Sequence, residues 1–447
     1  VVNGQRRELT GWGRACRSTA FTYPCVDQSD VVAALREPLA RGVLAHGLGR
    51  SYGDQALNGG GSVLLIRQLN RIEAFDPHSG ELVCQAGVTL QELVERFLPL
   101  GFLPPVSPGT GFVTVAGAVA NDVHGKNHES QGSFGRHVCW LDLVVPGGDI
   151  VRLSPVAQPH VFAATVGGAG LTGVIVRVCM RLMRVPSNAV RLRERRIANL
   201  EEFFAEFEVQ RHRAPFSVAW IDALARGAAL GRGILETAEP SAVAVATRPP
   251  RRLRLPFELP GWVLNSASIA AFNAAYYRRV PASGRERTVG FEHFLYPLDA
   301  IGDWNRLYGR RGFYQFQCVI PDSEAPRGIA RLLEAVAAER AASFLAVLKT
   351  LGAEGEGMLS FPLRGYTLAL DFPNRHGTAA LLARLETITL DHGGRIYLAK
   401  DATLSPGGFR RMYPRLADFE RVLDELDPRR SISSDMARRL KIRAIAA

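Results

Sequence analysis

Hydrophobic positions recur along this chain in two rhythms, and the change between them falls near Pro186. Up to that point short apolar runs alternate with clusters of glycine. The spacing predicts a helix over 29–41, a strand over 43–45, and further strands over 63–66 and 81–85. Residues 89–98 open on Thr89, a good N-capping type, and continue at helical spacing. Strands over 141–145 and 150–153 flank Pro146, Gly147, Gly148 and Asp149, a strand–turn–strand unit. Residues 160–165 read as the end of a helix, and 174–183 are β-branched and alternating. Beyond Pro186 the elements lengthen: strands over 217–222, 290–296, 312–320 and 366–372, and helices over 200–212, 327–340 and 377–392. Antiparallel strands with helices on one face make a platform, so the whole chain is expected to be α+β.

Three glycine-rich stretches punctuate the first rhythm. The longest, 103–138, places Gly109, Gly111, Gly117, Gly125, Gly132 and Gly135 among small apolar residues, with His124, Lys126, Asn127 and His128 clustered. Such density suits a backbone that must approach a large flat ligand, because glycine has no Cβ to keep it away. An earlier stretch, 44–61, offers Gly47, Gly49, Arg50, Ser51, Tyr52 and Gly53, a run of backbone N–H donors with a hydroxyl and a guanidinium that suits a pyrophosphate. The third, 165–176, contains a formal G-x-G-x-x-G at Gly168, Gly170 and Gly173. A doubly wound dinucleotide fold needs that motif after a strand and before a helix. Here a helix precedes it and a strand follows, which argues against that fold.

Composition narrows the partners. A chain of 447 residues with 47% hydrophobic and 22% charged content is ordinary for a globular protein of two or three domains. Its formal charge of +11 favours anionic ligands or acidic lipid surfaces. No nucleic-acid signature accompanies that charge, so no nucleic-acid partner is expected. Cys16, Cys25, Cys84, Cys139, Cys179 and Cys318 are scattered without C-x-x-C or metal spacing, so reduced thiols and no metal are expected. With no basic and apolar leader and no run of about 20 apolar residues, the expectation is a cytoplasmic protein or one peripheral on the inner membrane. Residues 248–254 hold four arginines beside prolines, ahead of Trp262, Ile269, Phe272, Tyr276 and Tyr277. Two readings stay open there: a membrane-touching lid, or a solvated loop followed by a core-packed helix.

The stretches HGLGRSYGDQALNGGG, PGTGFVTVAGAVANDVHGKNHESQGSFGRHV and TVGGAGLTGVI resemble the FAD-binding domain of the vanillyl-alcohol oxidase and p-cresol methylhydroxylase superfamily. LTGWGR, HGKN, AKD, MYPR and SDMARRL narrow the resemblance to its decaprenylphosphoryl-β-D-ribose 2′-oxidase family. The likeness implies a FAD-binding domain of two subdomains over 1–186, an inserted antiparallel substrate domain over 187–394, and a segment over 395–447 that completes the first. It implies non-covalent FAD and oxidation of the 2′-hydroxyl of a polyprenyl-phosphoryl ribose. A separate NAD(P)H-dependent keto-reductase would then finish the epimerisation to the arabinose donor for cell-wall glycans. The alternative is a FAD-dependent oxidase or dehydrogenase of another sugar or alditol, because a cofactor domain is shared more widely than a substrate pocket.

By the same likeness, the cofactor would be held by Gly47, Gly49, Arg50, Ser51, Tyr52, Gly53 and Asn58 from the first loop. The second would add Pro108, Gly109, Thr110, Gly117, Ala118, Asn121, Asp122, His124, Gly125 and Asn127, followed by Gly173, Ile175 and Tyr397. Oxidising an alcohol also needs a group to take the hydroxyl proton and anchors for the rest of the substrate. Lys400, after a predicted strand, is either a base with a lowered pKa or a charged anchor; the plainer reading is an exposed lysine paired with Asp401. Tyr52 is placed to relay a proton, and His124 to contact flavin and substrate. Lys126, Lys349, Gln315, Gln317 and Trp220 match substrate-pocket positions; the two glutamines, at period two, share one face of a strand. Ala369 stands where the mycobacterial members of that family carry a cysteine, and Thr367 where they carry an asparagine.

Overall fold

The computed structural model of the chain describes residues 4–37, 41–246, 253–255, 257–260, 263–341 and 345–443. Its amino-terminal part forms two sheets. Strands Gln5–Thr10, Arg17–Pro24, Ser62–Leu65 and Val43–His46 lie in that order, the first pair antiparallel and the others parallel. Ile72–Phe75, Glu81–Gln85, Val174–Arg181, Val138–Val144 and Ile150–Leu153 make an antiparallel sheet of five. Helix Leu90–Phe97 starts where expected because Thr89 and Glu92 cap each other's backbone. The helix predicted over 29–41 runs Gln28–Arg36 and stops at an extended Glu37, since the residue before a proline is pushed out of the helical region. Helix Pro159–Thr165 precedes the third glycine segment and strand Val174–Arg181 follows it, the reverse of a doubly wound site.

Eight antiparallel strands form the platform, in the order Arg285–Gly290, Ala189–Ile197, Gly233–Pro240, Phe216–Ile221, Ala346–Leu351, Gly365–Pro373, Phe313–Pro321 and Arg395–Ile396. Helices Leu200–Gln210, Ala325–Ala338 and Thr378–Asp391 bury Phe203, Phe207, Leu332, Leu333, Leu382 and Leu385 in the main apolar core with this sheet. The strand expected over 290–296 is corrected: Gly290 ends a strand, and Phe291–Leu295 is a short helix. Phe291, Phe294 and Leu295 are spaced for one helical face, and all three pack on Leu192 and Phe216. Trp262 and Arg248, Arg251 and Arg252 of the proposed lid lie outside the described residues. Helix Ser266–Arg278 follows them and buries Ile269, while Phe272 stays exposed.

The last segment returns to the first. Ile432 bridges to Val43, the Gly59 amide donates to Asp435, and Arg439 pairs with both Asp54 and Asp401. Tyr413, fully buried, donates its hydroxyl proton to the Ile396 carbonyl at 2.6 Å. Lys400 thereby reaches the glycine loops from the far end of the chain.

One buried charge holds the platform's far edge. Alternation along Ala189–Ile197 turns Val190, Leu192 and Glu194 inward, and the Glu194 side chain is wholly enclosed. It accepts from Arg279 at 2.7 Å, Arg285 at 2.8 Å and Arg287 at 3.1 Å. Burial acts to raise its pKa, but the three guanidiniums outweigh that and hold it below the usual carboxylate range. Glu194→Gln is expected to cost about 2–3 kcal/mol in urea unfolding of the FAD-loaded protein, because it strands partly buried guanidiniums without a counter-charge. An unchanged midpoint would show that the cluster is solvated.

Candidate active site

A cavity of about 780 Å³ opens between the glycine loops and the platform sheet. Strand Val43–His46 delivers Gly47, Gly49, Arg50, Ser51 and Tyr52 to one wall. Gly49 has φ +60, a conformation that favours glycine. The Arg50 guanidinium stacks 3.9 Å from the Trp12 ring and 5.2 Å from Phe112, and its buried Nε has no protein partner. Pro108, Gly109, Thr110, Gly117, Asn121, His124 and Gly125 form the second wall around helix Val115–Ala120, which Thr114 caps. Gly173 and Ile175 close the third side, and Tyr397 and Lys400 come in from the carboxyl-terminal segment.

Five residues expected to hold cofactor do not line the cavity, and the structure gives each another task. The Asn58 amide donates to the Gly42 and Ser62 carbonyls, bracing the first loop from behind. Asp122 accepts from the Gly135 and Glu356 amides and the Ser360 hydroxyl, tying the second loop to the platform. Asn127 donates to Pro105, and Ala118 is buried in the core. Gly53 permits contact rather than binding: a Cβ there would run into the Asp401 carbonyl.

The innermost part of the cavity concentrates titratable groups. Lys400 is partly buried, with its Nζ 3.7 Å from the centre of the Tyr52 ring. Asp401, the partner expected of an exposed lysine, turns away to Arg439 and caps the Thr403 and Leu404 amides. The charge facing Lys400 is Asp371, which accepts from Gln315 Nε2 at 2.5 Å and from the Tyr308 hydroxyl at 3.2 Å. Burial drives Lys400 down and Asp371 up, both to about 7, with Lys349 pushing the ammonium further down. Two groups that meet in this way titrate as a pair holding one proton between them. Burial, followed by the charge of Asp371, raises the Tyr52 hydroxyl well above its ordinary value, so it stays protonated.

His124 faces this cluster. Its Nε2 lies 2.9 Å from Gln317 Nε2, which also donates to Thr367 Oγ1 at 3.1 Å. Burial first, then Lys349, His128 and Lys400, push the imidazole far below its ordinary pKa. With Gln317 donating to Nε2, the ring proton resides on Nδ1, which is buried without a protein partner. Lys349 is lowered to about 8 by burial and then by Lys126. Lys126 donates to the Phe294 carbonyl and lies 4.1 Å from that residue's ring centre. Trp220 packs on Tyr276 at 4.8 Å, and Gln315, Gln317 and Ala369 line the sheet side.

Sequence reasoning missed Asp371 and Tyr308. The signal for Asp371 was present, because in strand Gly365–Pro373 the residues Thr367, Ala369 and Asp371 alternate against Leu368, Leu370 and Phe372. An acidic residue on the face already assigned to the pocket opposes Gln315 in the ladder.

Comparison with known proteins agrees with this geometry. Residues 21–154 match the FAD binding domain family, and 370–440 match the D-arabinono-1,4-lactone oxidase family. The chain is 36% identical over 451 residues to the decaprenylphosphoryl-β-D-ribose oxidase of Mycolicibacterium smegmatis, covering 98% of each. It is 33% identical to a Streptomyces coelicolor protein, covering 79% of this chain and all of that one. A D-lactate dehydrogenase of Anaerostipes hadrus is 26% identical over 37% of the chain and 36% of its own length. FAD fits the residues present. Unpartnered buried polar atoms of Arg50, Asn121 and His124 belong to residues lining the same cavity, where glycine-rich backbone offers the cofactor a close seat. The chain is a FAD-dependent oxidoreductase and belongs to the decaprenylphosphoryl-β-D-ribose oxidase family.

Proposed function

We propose that the chain oxidises the 2′-hydroxyl of a polyprenyl-phosphoryl-β-D-ribose to the 2′-keto sugar. A separate NAD(P)H-dependent keto-reductase then completes the epimerisation to the arabinose donor. The observation that carries the reading is the buried Lys400–Asp371 pair facing Tyr52 at the meeting point of the glycine loops. FAD, bound non-covalently in this reading, supplies the hydride acceptor for the carbinol carbon. Lys400, neutral once the pair has given up its shared proton, takes the hydroxyl proton, and Tyr52 holds the neighbouring oxygen. Asp371, fixed by Gln315 and Tyr308, positions the ammonium and stores the proton. His124 Nδ1 and the Gln317 amide orient the cofactor edge and the sugar. Lys126 and Lys349 neutralise the phosphate, and Trp220 with Leu298, Ile301 and Val347 forms an apolar wall for the first prenyl units.

Peripheral contact with an anionic membrane is part of the same proposal, since the lipid tail must be drawn from a bilayer. Leu253 and Phe257 are exposed beside Arg254 and Arg310, a pairing suited to acidic headgroups. Among the described residues no helix is long and apolar enough to cross a membrane. A second reading, oxidation of a free sugar or lactone, draws on the match of 370–440 to a lactone oxidase family.

Anaerobic addition of a polyprenyl-phosphoryl ribose analogue should bleach the flavin absorbance, whereas free ribose, lactones and alditols leave it unchanged. Bleaching by the free compounds alone would select the second reading. Lys400→Met should slow bleaching by about 100-fold or more, the usual share of a general base. In the wild type the rate should rise with pH through about 7, where the pair gives up its shared proton and Lys400 is free to accept another. A flat profile would remove Lys400 from that role. Ala369 lines the cavity and the lining residues include no cysteine, so inhibitors that act by trapping a thiol at that position should leave no covalent adduct by intact mass. An adduct at this cavity would contradict the placement. The protein should sediment with phosphatidylglycerol vesicles, and Leu253→Ser with Phe257→Ser should release it; equal sedimentation of both would exclude this face as the contact.

A further inference from the structure

The five-stranded sheet carries chemistry that the cavity does not use. Along Val174–Arg181, the partly exposed Arg177 and exposed Arg181 alternate with core residues Val176, Val178 and Met180, which puts Cys179 on the outward face. On the adjacent strand the register slips: Val138 pairs with Met180 and Trp140 with Cys179, leaving Cys139 as an extra residue between them. Such a bulge re-aims a side chain that regular alternation would send elsewhere. Cys139 is half-buried, its Sγ lies 3.9 Å from Glu81 Oε1, and it is the neighbour of Trp140, the residue that opposes Cys179. Cys179 is only 2% exposed, so an outside reagent meets Cys139 first. Arg181 pairs with Glu81 at 2.9 Å and brings a positive charge beside the pair.

We propose that Cys139 and Cys179 form a redox-active dithiol site on the cofactor-binding sheet, with Cys139 as attacking thiol and Cys179 as resolving thiol, that exchanges with low-molecular-weight disulfides. The Cys139 thiolate attacks one sulfur of the disulfide, forms a mixed disulfide and releases the other half as a thiolate. Cys179 then loses its proton and attacks Cys139 Sγ, releasing the second half. The protein loses two protons and two electrons, and the reagent gains them as two thiols. Directly opposed residues on antiparallel strands have Cα atoms about 4.5–5.5 Å apart, within the range a disulfide bridges, and Cys139 lies next to the residue opposing Cys179. The neighbouring Cys179 thiol lowers the Cys139 pKa to about 7 against its partial burial, and the same proximity raises that of Cys179. That asymmetry matches the two roles. Gly173 and Ile175, which face the cofactor cavity, immediately precede and begin the strand that bears Cys179.

The test treats the full-length FAD-loaded protein with oxidised glutathione, followed by alkylation, intact mass and peptide mapping. The expected wild-type product has lost two hydrogens, carries no glutathione and links the Cys139 peptide to the Cys179 peptide. Cys179→Ser should stall as one glutathione per chain on Cys139, and Cys139→Ser should leave Cys179 unmodified. Flavin absorbance reports that both variants fold; if either fails to bind FAD, the wild-type peptide map decides alone. A lasting glutathione adduct on the wild type, a bridge between other cysteines, or no reaction would each overturn the proposal.

Discussion

A buried ammonium is costly unless a counter-charge shares its enclosure, and Lys400 meets that condition only through Asp371. The pair joins two parts of the chain that otherwise have little to do with each other. Asp371 belongs to the platform sheet, where the ladder sets Gln315 opposite it and Tyr308 reaches its second oxygen. Lys400 belongs to the returning segment, which the Tyr52 amide grips through the Ala399 carbonyl at 2.9 Å. A shift of either partner leaves a charge stranded in an apolar enclosure, which ties the geometry of the site to the docking of both parts.

The same logic arranges the charges around it. Three partly buried lysines, Lys126, Lys349 and Lys400, line one cavity, each with a pKa lowered first by burial; Lys126 pushes Lys349 further down, and Lys349 does the same to Lys400. The neutral imidazole of His124 stands among them because a further positive charge there would be unsupportable. Deeper in the platform, Glu194 gathers three arginines, two of which, Arg279 and Arg287, also face the cavity. The cavity therefore mixes basic groups with carboxylates: Glu194 holds Arg279 and Arg287, Asp371 faces Lys400, and Arg50 rests on the Trp12 ring instead.

Much of this was legible in the residues. Glycine clustering located the loops that wall the cavity, and period two put Gln315 and Gln317 on one side of it. The reversed order around Gly168 and Gly173 excluded the doubly wound fold. What failed has physical causes. Asn58, Asp122 and Asn127 do not line the cavity, and polarity alone does not tell a residue that faces it from one that braces the loop from behind. Strand Ala189–Ile197 was invisible because its inward face carries Glu194, a charge whose partners arrive from 85 or more residues away. Residues 291–295 were misread because five apolar-rich positions fit a buried strand as well as a helical turn, and only packing on Phe216 decides.

Arg439 clasps Asp54 across a separation of 385 residues, and the Gly53 backbone lies against the Asp401 carbonyl beside it. This closure makes the site a late product of synthesis. As the chain leaves the ribosome, the glycine loops emerge long before Lys400 does. Until then the loops stand without the Lys400 ammonium that borders Tyr52 in the finished cavity. Assembly of the cavity is thus coupled to synthesis of the segment from Lys400 to Arg439, through a contact order that brings positions 385 residues apart to one point in space.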